Sequence, residues 1–339
     1  MDYEHPFVQE VRANPRDDLP RLIFADYLEE AGDPRGELIR VQVALSQLAP
    51  GDAERRELEL REDELLAEFA DQWLEPLREL GAEGISARCL QRGLIERVRI
   101  KSEVWLRNAD ELCRLAPALH CIELRDAASH LPLLLLEELP EQITAIDLSA
   151  NRLERMDLME HLVVSTWPDQ LLGLSLAFNR FPFEEISLLA RGRWPHLQRL
   201  NLSMNKLAPQ SSRQPSESTE SPFPRLEELS LAGNPLTTPG MVHLLDLVQS
   251  TNLQELDLAT TGIDAAAVRW LAQRQPMFQL ETLTLRGNPL KSRVADPTGT
   301  LDADLLAIAQ RGLKRLDLRS TGCVPDAALI EVLGDGLKY

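Results

Sequence analysis

The sequence predicts an α/β chain: a leucine-rich-repeat solenoid, with parallel strands on a concave face and helices on a convex face, behind a small all-α N-terminal domain. Three observations carry that expectation. Leucine or isoleucine recurs in an L-x-x-L-x-L spacing in eight copies from Leu119 onward. An asparagine stands at one fixed offset in five of them: Asn151, Asn179, Asn205, Asn234 and Asn288. The residues ahead of the array lack the pattern and are strongly acidic. Residues 1–90 hold 22 acidic and 10 basic side chains, in a chain of 339 residues with net charge −18. The expected boundaries are 1–90 for the helical domain and 91–339 for about 8–9 repeats.

From the N-terminus, residues 7–47 read as two or three short helices. Asp17 or Asp18 caps one that carries Pro20 in its first turn and ends at Gly32. Asp33-Pro34 opens the next, where Leu38, Ile39, Val41, Val43 and Leu45 give a mixed apolar surface. Residues 53–80 read as a longer acidic helix, broken near Pro76.

The array opens on a degenerate copy, Ile95-x-x-Val98-x-Ile100, and successive starts then lie 24 to 33 residues apart. Each x-L-x-L-x core is a short strand whose alternate side chains point inward. One such strand cannot bury its face alone, whereas stacked copies share a continuous core. The asparagine falls where the chain turns sharply, and its amide satisfies backbone groups that the turn leaves unpaired. Thr261 and Thr321 stand at that offset in two repeats and do the same in part. Helical segments separate the strands: 241–249, 265–273 behind the cap Asp264, 302–310 and 326–333. Two insertions, the polar, proline-rich 208–224 and the shorter 291–300, read as surface loops.

Composition narrows the function. A net charge of −18 argues against nucleic acid or an anionic membrane as partner. The N-terminus has no basic, apolar leader, and no apolar run approaches the length of a membrane span. The four cysteines, Cys89, Cys113, Cys121 and Cys323, form no C-x-x-C pair. Cys113 and Cys121 could pair in an exported protein, but a reduced, cytoplasmic chain is the simpler reading. There is no phosphate loop, H-E-x-x-H or G-x-S-x-G, and the six histidines have no metal-ligand spacing. Cys89 reads as a half-buried thiol rather than a nucleophile. No catalytic residue, metal or cofactor is expected.

The string Asn14-Pro-Arg-Asp-Asp-Leu-Pro-Arg-Leu-Ile-Phe-Ala-Asp-Tyr-Leu-Glu-Glu-Ala-Gly-Asp-Pro-Arg-Gly-Glu-Leu-Ile-Arg closely resembles the bacterial repeat-companion domain, a module found beside leucine-rich and other repeats, mainly in planctomycetes and myxobacteria. Gln91-Arg92-Gly93-Leu94-Ile95-Glu96-Arg97-Val98 resembles the junction into the repeats of those proteins. The likeness covers about 40 residues plus that junction. It implies an architecture and no activity. Asp26, Tyr27, Glu37 and Arg40 within it form either a polar site or a set of pairs that holds small helices together. A helical module of this size also suits the capping of a solenoid end.

Function in such a stack is expected on the concave face, at the positions between the leucines. The early strands present Arg97, Arg99, Lys101, Cys121, Glu123, Arg125 and Asp147. The middle ones present small residues with Arg199 and Asn201, then the acids Glu228, Glu255 and Asp257. The last present Arg286, Arg315, Asp317 and Arg319, so both ends are expected to be basic. Eight to nine strands about 4.8 Å apart make an arc of roughly 40 Å, which suits a protein segment better than a metabolite. Phe178 and Met204, just past adjacent strands, are either apolar anchors or tucked under the next turn. The expected role is a non-catalytic scaffold, a monomer that binds a protein partner. The alternative is a regulator or inhibitor of an enzyme, resembling ribonuclease inhibitors, GTPase activators or ubiquitin-ligase adaptors. The C-terminus, Gly334-Asp-Gly-Leu-Lys-Tyr339, lacks the acidic tail that such GTPase activators often carry.

Overall fold

The computed structural model describes residues 6–13, 17–49, 51–154, 158–208, 221–274, 279–290 and 300–339. Most of both insertions, at 209–220 and 291–299, lies outside the described residues. The chain divides into two compact units: Met1–His130 with Leu139–Asp147, and Leu131–Glu138 with Leu148–Tyr339.

The first unit starts with four helices: α1 (Pro6–Ala13), α2 (Leu19–Glu30), α3 (Arg35–Gln47) and α4 (Arg55–Glu79). Asp17 Oδ1 accepts the Leu19 N–H at 2.9 Å, while Asp18 makes no capping bond to α2 and instead holds Arg92 at 3.1 Å. Gly32 ends α2 with φ +71°. Gly36 lets α3 close on α2, because a Cβ there would meet the Ala25 carbonyl at 2.6 Å. Helix α4 runs through Pro76 instead of breaking. The proline falls in the last turn, and Gln72, whose carbonyl loses its partner, is exposed. Arg40 pairs with Asp26 and, at 2.9 Å, with Glu29, joining α2 to α3. Glu37 pairs with Arg61 at 2.6 Å, joining α3 to α4. Tyr27 packs its ring 6.1 Å from Phe7 and 6.3 Å from Phe24. These residues are thus engaged between helices. Glu29 and Arg61 are partners that the sequence pattern did not point to.

Strand β1 (Ala82–Glu83) follows, then a hairpin of β2 (Leu90–Gln91) and β3 (Leu94–Ile95), and then β4 (Arg97–Lys101), the first repeat strand. Helix α5 (Ser102–Leu115), which the repeat spacing did not reveal, leads to β5 (Cys121–Arg125) and β6 (Ala145–Asp147). β4, β5 and β6 are parallel, and β1 lies antiparallel along β4 with Ala82 opposite Ile100. The helices and the repeat start share one core. Val8, Phe24, Ile39 and Val43 pack with Leu94 and Ala118. Gly93, at φ +77°, approaches Ile39 so closely that no side chain fits, and its N–H donates to Gln42 Oε1 at 2.6 Å.

At the centre of that junction Arg21 has no exposed surface, and it forms an ion pair with Glu96, its Nη2 standing 2.6 Å from Oε1. Arg92 stands 3.7 Å from the same carboxylate. Burial pushes the Arg21 guanidinium below the usual arginine range, and Glu96 opposes that shift.

The second unit holds α6 (Leu131–Leu134), α7 (Leu158–Val164), α8 (Trp167–Gln170), β7 (Gly173–Ser175), α9 (Phe183–Leu189), β8 (Arg199–Asn201), β9 (Glu228–Ser230), α10 (Thr237–Val248), β10 (Glu255–Asp257), α11 (Ala265–Gln273), β11 (Thr282–Thr284), α12 (Leu301–Ala309), β12 (Arg315–Asp317), α13 (Ala327–Leu333) and β13 (Leu337–Lys338). Strands β7 to β13 pair in chain order and in parallel, as a coil-by-coil stack requires. The central leucine of each strand from β8 to β12 is buried, and its neighbours on either side are mostly half-buried. Asp264 caps α11 by accepting the Ala266 N–H at 3.0 Å, and it accepts the Thr238 hydroxyl at 2.7 Å from the preceding coil. Trp194 and Phe223 stack at 6.3 Å beside the larger insertion.

The asparagines join coil to coil. Asn205 Oδ1 accepts the N–H groups of Asn179 and Phe181, each at 3.0 Å, from the coil before. Its Nδ2 donates to the Leu176 carbonyl at 3.0 Å and the Leu202 carbonyl at 2.9 Å. Asn179, Asn234 and Asn288 repeat the pattern, each bonding one coil back. Thr261 has only a hydroxyl, which reaches the Leu258 carbonyl at 2.8 Å in its own coil. Thr321 does likewise with Leu318 at 2.6 Å. At these two places the ladder of rungs is interrupted.

Candidate interaction surface

Each unit carries one face of side chains between the buried leucines, most of them half-exposed or exposed, although Cys121, Ala145 and Gly173 are buried. In the first unit, register sets Arg97, Cys121 and Ala145 in one row, and Arg99, Glu123 and Asp147 in the next. Glu123 lies 2.8 Å from Arg99 and 4.0 Å from Arg125, and Asp147 lies 3.7 Å from Arg97. The hydrogen bond from Arg99 to Glu123 raises the Arg99 pKa. Arg97, Arg99 and Arg125 thus contact two carboxylates, Glu83 lies opposite Arg99 on β1, and with Lys101 the face carries four cations against three carboxylates.

In the second unit, Gly173, Arg199, Glu228, Glu255, Thr282 and Arg315 form one row and Ser175, Asn201, Ser230, Asp257, Thr284 and Asp317 the next. The expected basic C-terminal end is largely internally paired. Arg315 reaches Glu255 at 3.1 Å and the Thr282 hydroxyl at 3.1 Å, and Arg319 binds Asp317 through both nitrogens at 2.9 and 2.5 Å. The Arg319 hydrogen bond holds the Asp317 carboxyl below the usual range. Arg286 stays exposed. Asn201, Asp257 and Asp317 also fasten their own turns, each Oδ1 accepting the N–H two residues on at 3.0, 3.0 and 3.1 Å. That local role was missed in the sequence, although a polar residue recurs at this offset.

Phe178 and Met204 are not tucked away: 54% and 46% of their surface is exposed. Each opens the turn after its strand with left-handed backbone, φ +57°. The equivalent residues in other coils are Ala150, Gly233, Thr260, Gly287 and Ser320, all also left-handed. A second left-handed position follows two residues later. Later coils fill it with Gly262 and Gly322, whereas earlier ones place Arg152 (φ +57°) and Arg180 (φ +60°) there. A left-handed L-residue costs about 1–2 kcal/mol, which glycine avoids. Bulky residues are therefore kept at four costly positions without burial to offset the cost.

The first unit also has a cleft of about 410 Å³ between the turn Ala31–Arg35 and α4, lined by Phe69 and Trp73. The two rings stack at 5.7 Å, and Arg35, held by Asp33, lies 5.9 Å over Trp73. No group of three or more His, Cys, Asp or Glu suited to a metal occurs among the described residues, and no described helix is long and apolar enough to cross a membrane. The four cysteines are free thiols. Burial pushes the Cys113 thiol up to about 12, with Arg12 opposing. Thiolate is the reactive form. Alkylation with iodoacetamide at mildly alkaline pH is therefore expected to label Cys89 and Cys323 and to spare Cys113 and Cys121 until the chain is unfolded. Mass spectrometry of the digested protein reads this, and prompt native labelling of Cys113 would contradict it.

No protein-family model matches the chain, and no curated protein matches it. Among solved structures it is similar to a chain of the Rad7 and Elc1 complex in yeast, at 11% identity over 80% of this chain and 92% of that one, with a TM-score of 0.30. A likeness of that size carries no weight for fold or function.

Proposed function

We propose that this chain is a non-catalytic scaffold that binds a protein through the sheet face between the buried leucines, with the helical module closing the start of the repeats. One observation carries the reading. Six strands of the second unit hold polar side chains in two registered rows, on a backbone fixed by buried asparagine rungs. A pre-ordered polar surface of this kind loses little entropy on binding, which favours recognition of a protein segment. Glu228 and Ser230 sit mid-row, and the Ser230 hydroxyl reaches Asp257 Oδ2 at 3.5 Å.

The test is capture from a lysate of the source organism by the immobilised full chain, with Glu228→Arg and Ser230→Trp variants shown to be folded by circular dichroism. A protein retained by the parent chain is expected to fall about tenfold with either variant. Glu331→Arg, on α13 and exposed, should leave it unchanged. Capture insensitive to both face substitutions would count against the reading.

A further inference from the structure

Three successive coils of the second unit differ from the rest at the edge where each strand passes into its turn. Their turns stack in register: the Ala150 N–H donates to the Ala177 carbonyl at 3.0 Å, the Phe178 N–H to Ser203 at 3.1 Å and the Met204 N–H to Ala232 at 2.7 Å. Directly after each ladder asparagine stands a cation, Arg152, Arg180 and Lys206, and all three are exposed. Beside them stand Phe178 and Met204, also exposed. The Met204 thioether occupies the space that the missing Cβ of Gly233 leaves in the next coil. Where the later coils relax the same turns with glycine, these coils keep aromatic, thioether and guanidinium groups on left-handed backbone. Neither burial nor a strong pair accounts for that choice. Among the described residues Arg180 has a loose contact to Glu154 at 3.8 Å, and no ion pair is recorded for Arg152 or Lys206.

We propose that this edge holds an extended acidic peptide segment of the protein partner. One bulky apolar side chain of the segment would rest on Phe178 and Met204, and its carboxylates would meet Arg152, Arg180 and Lys206. Coils about 4.8 Å apart spread the three cations over roughly 10 Å, the reach of three to four extended residues at about 3.3 Å each. Charge complementarity selects the acidic segment, and the Phe–Met pair supplies the apolar anchor. The inference rests on the reading that the chain binds proteins, and it names a different surface from the two registered rows.

The test is a selection of displayed random peptides on the full chain, followed by fluorescence anisotropy of the enriched sequences. Enriched peptides are expected to carry two or more Asp or Glu flanking Phe, Trp, Leu or Met, and to bind more weakly as salt is raised. The triple variant Arg152→Glu, Arg180→Glu, Lys206→Glu should weaken binding at least about tenfold. Phe178→Gly with Met204→Gly should weaken it similarly while the melting temperature stays equal or rises, a combination that a purely structural role would not produce. Peptides without acidic bias, acidic peptides indifferent to these variants, no enrichment, or preference for a single-stranded oligonucleotide would each overturn the proposal. Binding lost with Ser230→Trp but kept in the edge variants would discard the edge and leave the scaffold reading intact. Binding indifferent to both sets would discard both.

Discussion

Asn205→Ala is expected to lower the stability of the second unit by roughly 3–5 kcal/mol, measured by urea denaturation of the full chain with hydrogen exchange to locate the loss. The side chain satisfies two N–H groups and two carbonyls in a site only 5% exposed. Alanine leaves the Asn179 and Phe181 N–H groups without a partner, while the Leu176 and Leu202 carbonyls keep donors from Asn179 and Asn234. An unsatisfied buried group costs about 1–3 kcal/mol. Asn205→Asp should do no better. It keeps the acceptor but turns a negative charge on the Leu176 and Leu202 carbonyls. The converse change, Thr261→Asn, gives an interrupted position the amide it lacks and is expected to add about 1 kcal/mol. A loss below about 1 kcal/mol for Asn205→Ala would show that the rungs are not what fixes the coils to one another.

The second large effect concerns the helical module. Arg21→Met is expected to destabilise the first unit by about 3–5 kcal/mol, because it leaves Glu96, 7% exposed, with an apolar side chain in place of its close partner and only the longer 3.7 Å contact to Arg92. Arg21→Met with Glu96→Leu should recover most of that loss, since it removes both desolvated charges together. Thermal unfolding of the four proteins completes a double-mutant cycle. A double variant no more stable than the single one would mean that the pair contributes shape rather than charge balance.

The repeats were legible because one geometric demand, a short strand with its alternate side chains inward followed by a sharp turn, recurs in every coil and fixes residue type at fixed offsets. Val98, Leu200, Leu256 and Leu316 are buried for that reason. The ladder asparagines stood out in the same way. Pro76 misled because a proline's cost depends on where in the helix it falls, and the last turn tolerates it. Arg21 and Glu96 were illegible: they lie 75 residues apart, and neither belongs to a periodic pattern. The surface was half legible. Strand alternation gave the side chains on the face, but their pairing depends on reach across coils. Arg315 finds Glu255 two coils away, and Arg319 folds back on Asp317, which dims the expected positive end. Arg152, Arg180 and Lys206 were in plain view after each asparagine, and only the backbone angles marked two of them as unusual.

The short strand β1 covers an edge that a stack of parallel coils would otherwise leave open. A stack of parallel coils has direction, and its first strand would accept the last strand of another molecule as readily as its own neighbour, a head-to-tail contact with no natural stopping point. Ala82 and Glu83 occupy the outer side of β4, and they run the opposite way. An incoming parallel coil finds those hydrogen-bonding groups already taken, by a partner whose polarity it cannot continue. Two residues, tethered to α4 through Leu80 and Gly81, are enough to cover β4 opposite Arg99 and Ile100.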